Sequence, residues 1–164
     1  MVEKKDIVEE HKTVRHLTEV VITPDHVHRT ESKLFRDSKH RLHEDGHYHC
    51  YICGSTENLQ VHHYGGEWSL ENSLDLEKVK AFLEEWDVYG YGRLLKNVPL
   101  VSVDDIRNCM VICQEHHTGG MTDGSANGIH NITFPVWISQ KLVKDGEVTV
   151  PLEDEEVLKK ENNK

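Results

Sequence analysis

Apolar and polar positions along the middle of the chain predict two short strands and one amphipathic helix. Residues 59–63 alternate apolar and polar side chains, which is typical of a strand with one buried face. Residues 109–112 form a short apolar run that predicts a second strand. Residues 74–86 carry apolar side chains at helical spacing, and we expect that face to lie in the core: Leu76, Val79, Phe82, Leu83 and Trp86.

A second helix is predicted over residues 24–44. Thr23 suits the N-cap position, Pro24 suits the first helical position, and Asp45-Gly46 ends the pattern. Weaker patterns predict a strand at residues 20–22, another at 100–103, a helical turn over 103–107 capped by Ser102, and a last helix over 136–144.

Composition indicates the size of the core and the cellular compartment of the protein. The chain has 164 residues, 37% of them apolar, and a net charge of −10, which fits one domain with a small core. Its first residues are charged, and no apolar run approaches the ~20 residues of a membrane span. We therefore expect a cytoplasmic protein without a membrane segment, whose cysteines bind metal in preference to forming disulfides.

Two short motifs predict a structural metal site. Cys50 and Cys53 have Cys-x2-Cys spacing before a glycine, and such a turn directs two thiolates at one tetrahedral ion. Cys113 and His116 repeat that spacing downstream. The four residues predict a closed Cys3His zinc site, and closed sites of this kind contribute directly to folding. Cys109 is the rival fourth ligand, although we expect it to face the core as a small apolar residue.

A second group of polar residues suggests catalysis. His62 and His63 are adjacent at the end of a predicted strand, so their side chains point to opposite faces and have different tasks. One of them suits binding of a divalent ion, and the other suits removal of a proton from water near neutral pH. Asn108 and His117 are the expected supports. The alternative is that all four are satisfied polar residues beside a zinc ribbon.

Together these residues resemble the HNH endonucleases of the ββα-metal (His-Me finger) superfamily, in the zinc-knuckle form common among bacteriophage proteins. The family pattern is Cys-x2-Cys, an apolar strand ending in Asp/His-His, then Asn, then Cys-x2-Cys-His. This chain matches it in four segments: Cys50-x2-Cys53, Leu59-x-Val61-His62-His63, Asn108 and Cys113-x2-His116-His117. The nine-residue step from Asn108 to His117 matches the usual spacing of the family.

The resemblance implies an α+β fold, with a small ββα-metal finger core, a structural zinc knuckle and flanking helices. It also implies that His63 is the general base and that Asn108 orients it. His62 and His117 then bind a catalytic divalent ion, for which Mg, Mn, Ni and Zn are all candidates.

The resemblance also divides the chain. We expect an HNH domain at residues 47–131 with a helical insert at about 65–107, and three flanking parts: an N-terminal strand and helix extension at 1–46, a C-terminal helix and strand at 132–150, and an acidic, disordered tail at 151–164.

Three departures from the family pattern affect the expected site. The insert of 44 residues between His63 and Asn108 is about twice the common length. His116 stands where the family has cysteine. Many members carry another histidine four residues after the one matching His117, whereas this chain has Met121 there. His130, beyond a glycine-rich loop, is the candidate to replace that ligand.

The function implied by the resemblance is metal-dependent hydrolysis of DNA phosphodiester bonds by a phage-encoded enzyme in the host cytoplasm. The charge favours alternatives, because Lys and Arg usually attract phosphates and residues 108–144 contain only two lysines and no arginine. One alternative is a non-catalytic HNH-derived zinc-binding interaction module, such as an anti-defence protein. Another is an accessory protein of DNA packaging or recombination that nicks only inside a complex with a protein partner.

Overall fold

A computed structural model describes residues 30–119, 128–129 and 141–147. Within these ranges a two-stranded antiparallel sheet is combined with short helices, which places the described chain in the α+β class as predicted. The elements in chain order are α1 (Lys33–Glu44), β1 (Leu59–His63), a 3₁₀ helix (Trp68–Ser73), α2 (Leu76–Glu85), α3 (Tyr91–Leu94), a 3₁₀ helix (Ile106–Asn108), β2 (Cys109–Cys113) and α4 (Gln114–Thr118).

The sheet is the centre of the fold, and both of its strands were predicted. β1 and β2 pair with His63 opposite Cys109 and His62 opposite Met110. All five residues of β2 are buried, because each face of the sheet is covered. On one face Cys109 belongs to a cluster with Phe35 of α1. On the other face Met110 lies in a cluster with Cys50.

α1 begins later than predicted. Residues 30–32 are not helical, and the helix starts at Lys33 with Ser32 in an extended N-cap conformation. Ser32 Oγ accepts the N–H of Phe35 at 3.0 Å and donates to Asp104 at 2.7 Å. This tertiary contact fixes the start of the helix at a position that the Thr23-Pro24 signal did not indicate. Phe35, Ser38 and Leu42 are the buried residues of this helix.

The insert between the strands folds around α2, as predicted. Asp75 caps α2 by accepting the N–H groups of Glu77 and Lys78. The apolar face of the helix packs with residues that return from the C-terminal side, Leu142 and Val143. Trp86 does not join this core, since the helix ends at Glu85 and the Trp86 side chain is 55% exposed.

The end of the insert differs from prediction in two respects. Residues 100–103 are coil and not a strand, and the helical turn is Ile106–Asn108, capped by Asp105 in place of Ser102. Side chains bind the backbone groups at the end of the expected strand, since the N–H of Val103 donates to Glu71 at 3.2 Å and its carbonyl accepts from Asn108 at 2.8 Å. Arg107 holds the chain just before this segment, because its buried guanidinium binds the Asp105 carboxylate and three backbone carbonyls: those of Leu95, Val98 and Pro99.

Several predictions lie wholly or largely outside the described residues: the strand at 20–22, the start of the first helix, most of the last helix and the acidic tail. Where the C-terminal segment is described, Lys141 and Leu142 are helical and Val143 pairs with Leu74 in an isolated bridge. The predicted extension of that helix to Lys144 is therefore wrong. Among the described helices, none combines the length and the apolar character needed to cross a bilayer.

Candidate functional site

Four side chains from the two predicted motifs converge at one point, and we call them the four-ligand cluster: Cys50, Cys53, Cys113 and His116. All their ligand atoms lie within 4.8 Å of one another. Cys53 Sγ is 3.9 Å from Cys113 Sγ, and Cys50 Sγ is 3.7 Å from His116 Nδ1. Metal–ligand bonds of about 2.1–2.3 Å imply edges of about 3.6–3.8 Å in a tetrahedron, so these separations fit one ion.

Local backbone geometry builds the first half of this cluster. Gly54 adopts a φ of +74°, which glycine accepts without strain, and its N–H bonds to the Cys50 carbonyl at 2.8 Å. The N–H of Tyr51 donates to the Val111 carbonyl at 2.8 Å and ties the turn to β2. The turn and the end of β2 therefore hold the ligands from both motifs together.

Electrostatics within the four-ligand cluster favour thiolate at one position. Burial is the largest single influence on the pKa of Cys50 and raises it, but backbone N–H groups of Cys113, Cys53 and Ile52 together outweigh burial and lower the pKa to about 6. The N–H of Ser55 lowers the pKa of Cys53, yet the neighbouring sulfurs of Cys50 and Cys113 leave it raised overall. Sulfurs crowded in this way suit a divalent cation that accepts negative charge from several thiolates.

Cys109 lies apart from the cluster, as expected. Its side chain is fully buried in the core beside α1, and its Sγ donates to the Asp105 carbonyl at 3.4 Å. None of the four cysteines is in a disulfide.

His62 and His63 point to opposite faces of β1, as predicted, and with His117 they form what we call the histidine site. The ring centroids of His62 and His117 are 5.2 Å apart at an angle of 62°. Nδ1 of His117 donates to the Gln60 amide oxygen, which leaves Nε2 of His117 with a lone pair. Gln60 shares a strand face with His62, two residues on. Metal-binding histidines commonly use their second nitrogen in this way.

A carboxylate borders the same histidine pair. Glu67 Oε1 lies 3.8 Å from His62 Nε2, and the two side chains are 15% and 6% exposed. The candidate ligand atoms here are more widely spaced than those of the four-ligand cluster, which is the one group in the described ranges with three or more candidate ligands all within 4.8 Å of one another.

His63 occupies a buried setting on the other face of the sheet. Its ring lies 4.9 Å from the Phe35 ring, centroid to centroid, and its Nε2 is 2.9 Å from Asp104 Oδ1. The contact has ion-pair distance, although its direction misses the alignment of a full hydrogen bond. His63 is 4% exposed and Asp104 is 5% exposed. A histidine beside a carboxylate is a common arrangement for a general base.

Asn108 acts on the backbone after β1 and not on the His63 ring. Its Oδ1 accepts the N–H groups of Gly65 and Gly66 at 2.8 and 3.0 Å. Its Nδ2 donates to the carbonyls of Gly66 and Val103, both at 2.8 Å. A β-carbon on Gly65 would lie 3.0 Å from Asn108 Oδ1 and 2.9 Å from Leu83, so glycine permits this close approach. The group that contacts the His63 ring is Asp104, whereas the resemblance implied Asn108.

The proposed third ligand, His130, lies outside the described residues. Gly128 is described, and a β-carbon placed on it would meet backbone atoms of His117 and Thr118 at 2.7 and 2.5 Å. Gly128 therefore lies against the backbone at the end of α4.

Four residues near the histidines were missed by sequence reasoning: Ser32, Gln60, Glu67 and Asp104. Gln60 could have been found, because residues two apart on a strand share a face and Gln60 precedes His62 by two. Asp104 had no such signal, since it is separated from His63 by the whole insert.

Comparisons with family models, with curated proteins and with solved structures found no match to this chain.

Proposed function

We propose that this protein is a metal-dependent HNH-type endonuclease that hydrolyses DNA phosphodiester bonds. The main support is the different setting of two adjacent histidines. His62 faces His117, which is held by Gln60, while His63 faces the buried carboxylate of Asp104. A domain stabilised by zinc alone needs neither arrangement, whereas a metal-assisted hydrolase needs a metal-binding pair and a proton acceptor.

Zinc is the metal that we assign to the four-ligand cluster, as a structural ion. Three sulfurs and one imidazole nitrogen form a closed ligand set that zinc prefers, and no position is left for a substrate. The role of this ion is to hold the turn at Cys50 against β2, and so to position α4 and His117.

The histidine site carries the proposed chemistry. His62 and His117 hold a divalent ion, and Mg, Mn, Ni and Zn remain the candidates. When bound, that ion stabilises the negative charge that develops on the phosphate and on the leaving 3′ oxygen. His63 takes the proton from the attacking water. Asn108 fixes the loop that follows His63 and so keeps the end of β1 in place.

Two residues are candidates for a third ligand of the catalytic ion. His130 is implied by the resemblance. Glu67 is already 3.8 Å from His62 Nε2. The two candidates can be separated by replacing each one alone, as His130→Ala and Glu67→Gln, and titrating the activating metal. The ligand is the residue whose replacement weakens metal binding about 10-fold or more.

A plasmid-nicking assay with Mg, Mn, Ni and Zn tests the proposed activity. We expect wild type to nick supercoiled DNA and His63→Gln to be at least ~100-fold slower, because a general base contributes roughly 10²–10⁴-fold to rate. Glutamine is the better replacement, since His63 is buried and a glutamine amide still offers Asp104 a donor. His40→Ala is a matched control, because His40 is a largely exposed histidine on α1 that pairs with Glu44.

The contrary outcome supports the interaction module. The net charge of −10 favours that function, because an acidic protein binds DNA poorly without a metal or a basic partner. The nuclease proposal is wrong if the wild-type protein, folded and loaded with zinc, binds a protein partner but cuts no form of DNA or RNA with any of the four metals.

A further inference from the structure

Asp104 links α1 to the histidine site through a carboxylate that contacts both. Its Oδ2 accepts the Ser32 hydroxyl at 2.7 Å, while its Oδ1 lies 2.9 Å from His63 Nε2. Its backbone carbonyl also accepts the Ser38 hydroxyl at 2.9 Å. Three short contacts from two elements therefore fix a buried acid in one position, with one oxygen directed at the His63 ring.

The contact selects one tautomer of His63. A carboxylate can only accept hydrogen bonds, so the ring nitrogen beside it has to carry the proton. The Phe35 ring, 4.9 Å away, limits rotation of the imidazole. Although the N–H direction is not fully aligned, such bonds commonly tighten when a substrate binds. Protonation at Nε2 leaves the lone pair on Nδ1.

We infer that Asp104 is the positioning residue of His63, and that Nδ1 of His63 is the atom that accepts the proton from water. The inference rests on the proposed nuclease function. In the reaction, an O–H bond of water breaks as its oxygen attacks phosphorus, and that proton passes to Nδ1. The bond between phosphorus and the 3′ oxygen breaks, and the 3′ oxygen keeps the electron pair and takes a proton from solvent. Asp104 stays ionised and stabilises the imidazolium that forms.

The neighbouring acid, Asp105, provides a matched control. Both residues are buried carboxylates in the same turn, but Asp105 pairs with Arg107 at 2.8 Å and caps the 3₁₀ helix Ile106–Asn108. Asp105→Asn therefore measures what loss of a buried acid does to folding, while Asp104→Asn also removes the acceptor beside His63.

Imidazole ¹⁵N spectra of wild type test the tautomer without any activity. We expect the His63 ring, identified by its loss in His63→Gln, to carry its proton on Nε2. Asp104→Asn should lose that preference, because an amide can donate as well as accept, while Asp105→Asn should keep it. A wild-type His63 protonated on Nδ1 would overturn the inference.

Nicking rates complete the test. We expect Asp104→Asn to lower the maximal rate at least ~10-fold with little change in KM, and Asp104→Glu to recover part of it. If Asp104→Asn and Asp105→Asn lower the nicking rate equally, after correction for the folded fraction, the role of Asp104 is only structural. If wild type cuts nothing, the proposed function fails, and the spectra alone decide whether Asp104 fixes His63.

Discussion

The four-ligand cluster and the histidine site use neighbouring residues of α4, His116 and His117, and they differ in completeness. In the cluster, four donors from two motifs lie within 4.8 Å of one another. In the histidine site, His62 and His117 face each other and His63 is on the opposite face of the strand with Asp104. A closed set of four donors suits a structural ion, whereas the histidine site offers two facing imidazoles with the Glu67 carboxylate beside them. Under the proposed function, the two sites would hold two metal ions with different tasks.

Removing one ligand of the four-ligand cluster should have the largest effect. Cys113→Ser should lose zinc and unfold, because such sites supply ~10 kcal/mol or more of apparent binding energy and a domain is stable by only about 5–15 kcal/mol. Zinc content and thermal unfolding of the purified protein measure both effects.

The control for that prediction is Cys109→Ser. Cys109 is buried but lies outside the cluster, so its replacement should retain zinc and cost far less stability. If Cys109→Ser removes zinc while His116→Ala retains it, the assigned ligand set is wrong.

The second-largest effect should come from replacing Asn108, because its side chain joins the backbone after β1 to the end of the insert. Asn108→Ala leaves four buried backbone groups of Gly65, Gly66 and Val103 without their partner, and should cost about 3 kcal/mol or more in free energy of unfolding. Denaturant unfolding of the zinc-loaded protein measures it, and the exposed Asn97→Ala should change little. A small loss with Asn108→Ala would show that water replaces the amide and that the loop is not rigidly held.

The smallest effect should come from Gln60, which touches the histidine site only through His117. Gln60→Ala should weaken binding of the activating metal about 10-fold and leave the zinc content unchanged. The reason is that residues hydrogen-bonded to metal-binding histidines typically contribute 10–100-fold to metal affinity. Mn²⁺ titration of the zinc-loaded protein measures the binding. His117→Ala, which removes a ligand itself, should weaken it further. Equal metal binding in all three proteins would remove His117 from the site.

Elements with local signals were predicted and those fixed by distant contacts were not. β1, β2 and α2 follow from periodicity within a dozen residues, and the cluster follows from the repeated two-residue spacing of its ligands. α1 starts at Lys33 behind Ser32, which also reaches Asp104, 72 residues away, whereas the predicted start at Thr23-Pro24 lies outside the described residues. The expected strand at 100–103 is likewise coil, and the backbone groups of Val103 bond to the side chains of Glu71 and Asn108.

The sequence by itself determined which residues are candidates for the proposed chemistry: the repeated cysteine and histidine spacing, the two adjacent histidines at a strand end, and the asparagine nine residues before His117. Only the tertiary structure decided how they are supported, with Gln60 on His117, Asp104 on His63 and Asn108 on the backbone of Gly65 and Gly66. The reason is physical. Ligand spacing and strand alternation are properties of a short stretch of backbone, whereas a buried carboxylate meets its histidine only after the intervening insert has folded around its own core.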